Sequence, residues 1–355
     1  MKVVVSEMLF PEGHVELNKK YISILSNICE LTVVDDGKYF SSMNLSNCNI
    51  ITFSRIVPNF HWLEKIKKII PFLKLDIIDF IAHYINLIRI SIKIRKINYD
   101  RIIFFSARND TLGFALPLFK RKSVYVFHHV DLDLMSLKAY YLWAFKRNMS
   151  GYYHITLADF IKTGMIETFG INPDLVKVVY QPIVNNINFC SGIRKRIIIG
   201  LGKGIDPEQL DFMIQYDKSH KERLNYQIIL RDNNIEYVGR NLVVTKEYFS
   251  RDKYERYLNE ASLCVILYPF SFNLRYSGVA DDALSHGLPV IGNDIKVINY
   301  FSGKYPGYCH VINDLTLLFK LPDSYFYAPV EMIERFRNNH SDKNVSEMIK
   351  SALDF

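Results

Sequence analysis

Cysteine is scarce in this chain and is not arranged for metal or disulfide chemistry. The 355 residues hold five cysteines, widely spaced, with no C-x-x-C pair and no clustered histidines. An odd, scattered set argues against a disulfide framework and against a zinc site. The sequence therefore predicts reduced, mostly buried thiols, and no metal is expected.

Long hydrophobic runs are also missing. The sequence opens MKVVVSEMLF, where three valines are followed at once by Ser6 and Glu7, and the apolar stretch at 77–88 is broken by polar side chains. A membrane-spanning helix needs about 20 mostly apolar residues, and a signal peptide needs a longer apolar core than this. The sequence predicts neither, and a cytoplasmic location is expected.

The sequence has no repeat of fixed period and no low-complexity tract, which excludes a solenoid. Its composition, 49% hydrophobic and 23% charged, is typical of a folded globular protein. The chain of 355 residues is too long for one small core. It suits two domains of about 150 to 180 residues each.

Short β-branched runs alternate with segments of helical periodicity in both halves of the chain. Examples are KVVVS at 2–6, RIIFF at 101–105 and RIIIGL at 196–201. Alternation of this kind is typical of parallel sheets covered by helices. The predicted fold class is α/β, with two doubly wound Rossmann-like domains separated by a cleft.

The stretch 181–196 has neither period and contains proline, asparagine and glycine, so it is the predicted linker. The predicted domains are 1–185 and 186–328. Residues 329–355 are helical in pattern and form a predicted tail that could cap either half.

The segment RYSGVADDALSHGLPVIGND, residues 275–294, has the pattern of a short helix followed by a buried strand. Ser277 is placed to cap the helix, and Gly278 removes a side chain from its entrance, which then fits a phosphate. Arg275 adds a guanidinium for the same oxygens. Val279, in the first turn, is assigned to the same nucleotide-binding set.

Two adjacent aspartates occupy the first turn of this helix. The helix dipole favours carboxylates there, so ordinary capping would explain both Asp281 and Asp282. A functional Asp282 would instead accept hydrogen bonds from hydroxyls such as those of a ribose, because a carboxylate beside a pyrophosphate is repelled. Both interpretations stay open.

A glycine-rich loop, GLGKG at 200–204, directly follows a predicted strand. Glycines at the carboxyl end of a strand let phosphate approach the backbone, so Gly202 and Lys203 are predicted to bind the nucleotide. The loop lacks the full dinucleotide and P-loop patterns, and a flexible turn is the alternative. Gly239, which ends the predicted strand 235–239, is assigned to the same set.

The segment 55–101 is basic, with ten Lys or Arg against four acidic residues, a surplus of six. Aromatic residues such as Trp62 and Phe72 are interleaved with the charges. This pattern favours peripheral contact with an anionic membrane surface. A solvated basic face over an apolar core is the alternative, and no nucleic acid is expected because no binding motif is present.

YLNEASLCVILYP at 257–269, followed by GVADDALSHGLPVIGND at 278–294, resembles the signature of the family-4 retaining glycosyltransferases with the GT-B fold. The segment 151–183 is similar to the one that precedes their linker. The resemblance covers most of residues 98–300. It implies a hexosyltransferase-like enzyme that moves a sugar from a UDP- or GDP-sugar to a glycan or polyprenyl-linked acceptor in bacterial-type surface polysaccharide synthesis, with retention.

One position departs from the family pattern. The family usually carries two acidic residues separated by seven others, and while Asp282 falls on the second, Leu274 falls on the first. The first acid generally holds the donor sugar. The sugar and the stereochemical outcome are therefore left open.

In the first half, VYVFHHVD at 124–131 resembles the family strand that ends in a histidine near the reacting sugar. His129 is the closer match and His128 the alternative. Histidine can relay charge near neutral pH, although a purely structural histidine is equally compatible. FPEGHVE at 10–16 matches the loop after the first strand and implies Gly13 and His14 on the acceptor side, where a plain turn explains them equally well.

In this scheme Arg275, Lys203 and the amides near Gly278 stabilise the departing diphosphate, with no metal and no cofactor besides the nucleotide-sugar substrate. The enzyme is expected at the inner face of the cell membrane. The alternatives are a nucleotide-sugar epimerase or hydrolase on the same fold, and a non-catalytic partner that binds glycan or lipid carrier.

Overall fold

The structure is a computed structural model that describes the chain except residues 10–13, 37–39, 41–47, 57–74, 120–122, 130–131, 134–138, 185–193 and 203. The chain divides into two compact units. The first unit comprises Met1–Val184 and Asp342–Phe355, and the second comprises Asn185–Ser341.

The first unit alternates strands and helices along the chain. Its strands are β1 (Lys2–Glu7), β2 (Glu30–Asp35), β3 (Cys48–Thr52), β4 (Arg101–Ser106), β5 (Ser123–His128), β6 (Tyr153–Thr156) and β7 (Val176–Val178). Its helices before the second unit are α1 (Val15–Ser26), α2 (Leu75–Ile94), α3 (Asn109–Ala115), α4 (Ala139–Asn148) and α5 (Asp159–Phe169).

These strands form one parallel sheet in the order β3-β2-β1-β4-β5-β6-β7. Val3, Val4 and Val5 of β1 are at most 1% exposed, as expected of a strand covered on both faces. The strand order reverses between β1 and β4. Ligands of doubly wound sheets bind outside the carboxyl ends of the strands at such a reversal.

The second unit has the same plan. Its strands are β8 (Ile197–Gly200), β9 (Gln227–Arg231), β10 (Tyr237–Val238), β11 (Leu242–Thr245), β12 (Leu263–Ile266), β13 (Val290–Asn293) and β14 (Cys309–Ile312). Its helices are α6 (Pro207–Ser219), α7 (Arg251–Glu260), α8 (Gly278–Ser285), α9 (Lys296–Lys304) and α10 (Val330–Asn339).

The second sheet runs β10-β11-β9-β8-β12-β13-β14, and the described pairs are parallel except β10 with β11. Its order reverses between β8 and β12. The predicted α/β class with two doubly wound Rossmann-like sheets is confirmed.

The final segment is divided between the units. Helix α10 belongs to the second unit, whereas the last helix, α11 (Asp342–Leu353), belongs to the first. Ile349 and Leu353 of α11 adjoin Leu25 of α1 in the apolar interior of the first unit. Lys20 Nζ lies 2.7 Å from Asp342 Oδ2 at the start of α11.

Helix α2 is the longest described helix, at 20 residues. Neither it nor any other helix in the described part of the chain combines the length and the apolar character needed to cross a bilayer. The described residues also contain no group of three or more metal-binding side chains.

Candidate functional site

The entrance of helix α8 lies at the carboxyl end of β12, next to the reversal of the second sheet. Ser277 caps the helix: its Oγ accepts a hydrogen bond from the Ala280 amide at 3.1 Å. The Tyr268 hydroxyl lies 3.3 Å from the same Oγ. The cap therefore fixes where the helix begins, because one of its first amides is satisfied by the side chain.

Gly278, the first residue of α8, faces open space. A Cβ built there would meet no atom within 4 Å. The amides of the first turn of a helix attract anions through their N–H groups and the helix dipole. The entrance of α8 is therefore open to an anionic ligand.

A pocket of about 340 Å³ lies beside this entrance in the second unit. The volume is in the range of small-ligand sites. It is lined by residues after β8, at the end of β9, around the start of α7 and in the first turns of α8: Leu201, Gly202, Arg231, Tyr248, Phe249, Arg251, Tyr254, Val279 and Asp282. Three residues assigned from the sequence, Gly202, Val279 and Asp282, thus meet in one pocket.

Gly202 packs tightly against an aromatic ring. A Cβ at this position would lie 3.0 Å from the Tyr268 ring, closer than ordinary van der Waals contact. Only glycine fits here without displacing that ring. Lys203, the next residue, lies outside the described residues, as does Gly13 of the first unit.

Two arginines give the pocket positive charge. Arg231 is 7% exposed, its guanidinium lies 5.0 Å from the Tyr248 ring centroid, and its Nε donates to the Glu247 carbonyl at 3.1 Å. Arg251 Nη2 lies 2.5 Å from Glu255 Oε1. Planar guanidinium groups suit phosphate and stack on rings, so this wall fits an anionic, aromatic ligand.

Asp282 is paired with a tyrosine inside the pocket. The Tyr254 hydroxyl donates to Asp282 Oδ2 at 2.8 Å. Burial raises the pKa of Asp282, while the Tyr254 hydrogen bond and the charge of Arg251 oppose that rise. Burial and the nearby Asp282 raise the pKa of Tyr254 well above its usual value. This carboxylate is therefore held by a hydrogen bond at the pocket wall.

Asp281, its neighbour, has different surroundings. It is 1% exposed, accepts a hydrogen bond from the Tyr276 hydroxyl, and lies 3.4 Å from His340 Nδ1. Burial raises the pKa of Asp281 well above its usual range. The two aspartates that share a first turn thus divide into one buried among protein groups and one facing the pocket.

Arg275 and Gly239 do not line the pocket. The Arg275 guanidinium lies 5.6 Å from the Phe272 ring centroid, two residues before the helix cap. A Cβ on Gly239 would overlap Asp217 Oδ2 and the Tyr237 hydroxyl, so close packing explains this glycine. Leu274, which falls where the family has its first acid, is 6% exposed.

In the first unit, a buried carboxylate marks the reversal between β1 and β4. Glu7 at the end of β1 is 1% exposed. It accepts hydrogen bonds from the Leu9 amide and from Asn18 Nδ2, both at 2.9 Å, and from the Ser106 hydroxyl. These bonds join β1 to α1 and to the end of β4.

His129 and His14 meet close to this carboxylate. Their ring centroids are 4.6 Å apart. Burial, reinforced by His14 and His128, holds the pKa of His129 well below its usual value, and its buried Nε2 has no hydrogen-bond partner among the residues described. Burial lowers the pKa of His14 as well, and Glu7 opposes this. Burial therefore favours the neutral imidazole of His129, whose Nε2 is left unpaired within the described part of the chain.

His128 has a separate environment, because successive side chains of a strand point to opposite faces. Its Nε2 lies 2.9 Å from His154 Nδ1, and His154 Nε2 lies 2.8 Å from the Met149 carbonyl. Burial, with a contribution from His128, lowers the pKa of His154 to about 3. The structure thus brings His129, and not His128, to His14.

Several site residues escaped the sequence analysis. Glu7 and Arg231 are charged residues that end buried strands, a signal the sequence carries. Tyr248, Arg251 and Tyr254 carry no comparable signal, because they lie on a loop and a helix whose orientation sets what they face.

No protein-family model matches the chain, and no curated protein matches it by sequence. Solved structures match over the whole length. Anabaena Alr3699/HepE in complex with UDP is 12% identical, with a TM-score of 0.64 and coverage of 100% of both chains. Sucrose-phosphate synthase from Thermosynechococcus elongatus is 9% identical, with a TM-score of 0.65, covering 99% of this chain and 98% of that one.

A third similar structure is the lipopolysaccharide outer core galactosyltransferase WaaB in its apo form. It is 14% identical, with a TM-score of 0.59 and coverage of 99% of both chains. At such identities the likeness concerns the fold. The chain therefore has the GT-B fold of glycosyltransferases, as the sequence resemblance implied.

Proposed function

We propose that this protein is a glycosyltransferase whose donor is a nucleoside-diphosphate sugar. One observation carries the proposal: the pocket at the reversal of the second sheet combines Gly202, two arginines and the Asp282–Tyr254 pair beside the open entrance of α8. Each feature suits one part of a nucleotide. The UDP complex of the similarly folded Anabaena protein supports the assignment.

Different groups of the site bind different parts of the donor. The Asp282–Tyr254 pair offers hydrogen-bonding oxygens to the ribose hydroxyls. Arg251 at the pocket wall, Arg275 just before the cap of α8, Lys203 and the amides near Gly278 hold the diphosphate. As the sugar departs, negative charge builds on the diphosphate, and fixed cations and amides stabilise that charge without reorganising.

The acceptor is assigned to the first unit, where His129 and His14 meet. A neutral imidazole with an unused nitrogen can accept a hydrogen bond or a proton from an acceptor hydroxyl. The acceptor is a glycan or polyprenyl-linked sugar of surface polysaccharide synthesis. Retention is the outcome proposed from the family-4 resemblance, although Leu274 replaces the first acid of the family motif. The anomeric configuration of the product, read by NMR, checks the last point.

Helix α2 and helix α4 are proposed to touch the inner face of the cell membrane. Ile77, Ile81 and Ile92 of α2 are 54%, 50% and 54% exposed, and Trp143 of α4 is 57% exposed. Exposed basic residues follow at the end of α2: Lys93, Arg95 and Lys96. Apolar and basic groups together favour an anionic lipid surface. Residues 57–74 of the basic segment lie outside the described residues.

A thermal-shift panel of UDP-, GDP-, ADP-, CMP- and dTDP-sugars tests the donor. A ligand that binds only the folded state raises the melting temperature, so at least one nucleoside-diphosphate sugar should do so. Asp282→Asn should reduce the shift, and the exposed Asp211→Asn on α6 is the matched control. No shift with any member of the panel would contradict the donor assignment.

Product analysis with the donor so identified separates the remaining functions. A glycosyltransferase transfers sugar only when acceptor is present. A hydrolase releases sugar without acceptor, an epimerase returns an altered nucleotide sugar, and a non-catalytic partner binds the donor and leaves it intact.

A further inference from the structure

His286 directly follows helix α8 and lies behind the donor pocket. It is 4% exposed. Its Nδ1 lies 2.7 Å from the Asp282 backbone carbonyl oxygen, and its Nε2 lies 2.9 Å from Glu255 Oε2. Both ring nitrogens are therefore within hydrogen-bond distance of an oxygen.

The two oxygens decide the protonation state. A carbonyl oxygen accepts only, and so does an ionised carboxylate, whereas a neutral imidazole carries one N–H. A neutral His286 would leave one nitrogen lone pair facing an acceptor. Protonating Glu255 instead is disfavoured, because Arg251 Nη2 lies 2.5 Å from its other oxygen and favours the carboxylate. The imidazolium satisfies both contacts.

Charged groups on the neighbouring elements also act on the His286 ring. The carboxyl end of a helix favours a cation, and His286 caps that end of α8. The opposing cations, Arg194 and Arg337, donate to backbone carbonyls, of His286 at 2.5 Å and of Ser285 at 3.1 Å. Asp282 on α8 and Tyr254 on α7 are hydrogen-bonded to each other, and the Tyr308 hydroxyl donates to the Leu284 carbonyl. The closest charge to the ring is the Glu255 carboxylate.

His286 is connected to the pocket through helix α7, because it contacts Glu255 on that helix and Glu255 contacts the pocket residue Arg251. Arg251 and Tyr254 on α7 line one wall, and Asp282 on α8 lines another. Polar contacts that join the two helices include those of Tyr254 with Asp282 and of Glu255 with His286. Glu255 also contacts Arg251, so its charge balance bears on the pocket.

We propose that His286 is a positioning residue of the donor site, an imidazolium that neutralises Glu255 and leaves the charge of Arg251 to the donor diphosphate. This rests on the proposed function. With His286 protonated, the formal charges of Arg251, Glu255, His286 and Asp282 cancel; with a neutral ring they sum to −1. Loss of the His286 proton should therefore weaken donor binding.

Calorimetry with UDP tests the inference. GDP replaces UDP if the thermal-shift panel shows that the protein binds GDP-sugars. Between pH 7.0 and 8.5 a terminal phosphate, with its second pKa near about 6, is already ionised, so the probe changes little. The wild type should bind about threefold more weakly at pH 8.5. His286→Gln should bind about fivefold more weakly than wild type at pH 7.0 and show no further loss, because glutamine holds a single, neutral NH₂ group there.

Two further variants separate positioning from mere structure. Glu255→Gln should lose the pH dependence, because no carboxylate is left for the His286 imidazolium to neutralise and the glutamine amide can donate to Nε2. His220→Gln is the matched control, since His220 also caps a helix, α6, away from the pocket, and it should keep the wild-type profile. A flat wild-type profile, or an unchanged slope in His286→Gln, overturns the proposal.

Nitrogen-15 NMR of histidine-labelled, ligand-free protein gives a readout independent of the nucleotide. The His286 signal is identified as the one that is lost in His286→Gln or shifted in Glu255→Gln. In the wild type at pH 7.0 it should show that both ring nitrogens of His286 are protonated. A neutral tautomer there overturns the inference. Failure of every nucleotide to bind would instead overturn the donor site, and the NMR signal would still decide the state of His286.

Discussion

The two units share one sheet topology and differ in what they place where the strand order reverses. In the first unit the ends of β1, β4 and β5 carry the buried Glu7, Ser106 and His129, and His129 contacts the half-buried His14. In the second unit the corresponding edge carries an open helix entrance and an arginine-lined pocket. The first unit places imidazoles and a buried carboxylate at its reversal, whereas the second places arginines and a carboxylate–tyrosine pair beside an open helix entrance.

The comparison shows that the position of a site and the ligand it suits are set by different features of the chain. Strand order decides where a ligand can reach the backbone, because loops diverge at the reversal. The few residues that end the strands then decide which ligand it is. Two sites of opposite character can therefore rest on equivalent sheets, and each can be perturbed alone.

The largest effect on turnover is expected from the first unit, at the reversal of its strand order. His129→Ala should lower turnover on the order of 100-fold or more, the contribution typical of a positioned acid–base group, and should leave donor affinity within about twofold. Steady-state rates and calorimetry measure the two quantities separately. Equal losses in both, in a protein shown to be folded, would place His129 in donor binding and remove the contrast between the edges.

Acid sensitivity should be traceable to the first unit. The pKa of His154 is lowered to about 3, so the unfolded chain binds a proton near pH 6.5 that the folded chain does not. The stability that neutral His154 contributes is complete above pH 6.5 and is lost as pH falls towards 3, about 4 to 5 kcal/mol in all.

Urea unfolding at pH 7.0, 5.5 and 4.5 measures this loss. Between pH 6 and 4 the free energy of unfolding of the wild type should fall more steeply than that of His154→Gln, by up to about 1.4 kcal/mol per pH unit. Parallel curves for the two proteins would mean that the paired histidines of β5 and β6 do not set the acid limit.

At the second edge, Arg275→Ala should weaken binding of the donor nucleotide by about 1.5 to 3 kcal/mol, the range of a charged hydrogen bond. The affinity of Arg275→Lys should lie between those of the wild type and Arg275→Ala, because the lysine ammonium keeps the charge and lacks the planar fork of a guanidinium. Calorimetry compares them with Arg223→Ala, an exposed arginine of the same unit. Unchanged affinity in Arg275→Ala would mean that Arg275 does not contact the diphosphate and that the pocket arginines, Arg231 and Arg251, hold it without Arg275.

The smallest effects concern the outer face of the first unit. Each basic residue near an anionic surface contributes about 1 kcal/mol, so the protein should co-sediment with anionic vesicles and only weakly with neutral ones. High salt should weaken the binding in part, since screening leaves apolar insertion in place. Ile77→Ser with Ile81→Ser should reduce recovery, and Phe212→Ser on α6 of the second unit should not. Equal recovery on both vesicle types would mean a merely solvated basic face.

The fold was largely predictable from sequence because its signals are local. Buried parallel strands are short β-branched runs, and α8 is marked by Ser277 at its start and by Gly287 and Pro289 after its end. The same local signals led to the assignment of Gly239 to the nucleotide-binding set, although this glycine does not line the pocket. It ends a strand pattern as Gly202 does, yet its lack of a side chain is required by Asp217, a residue 22 positions earlier in the chain.

The pocket was predictable only in part, since its walls depend on how helices are rotated. Asp282 could be placed on a helix entrance from sequence, but its partner Tyr254 lies 28 residues away on another helix. Nothing in a local pattern fixes which face of α7 meets α8. The same holds for the return of α11 to the first unit, which depends on packing against Leu25.

That return has a consequence for biosynthesis. Residues 342–353 leave the ribosome after the whole second unit, yet their Ile349 and Leu353 fill the interior beside Leu25, near the start of the chain. The second unit is continuous in sequence and can complete its own fold while the first still lacks one helix. Folding of the first unit therefore cannot finish before α11 has been synthesised, and a nascent chain stalled before α11 would present the uncovered apolar face of α1 to chaperones.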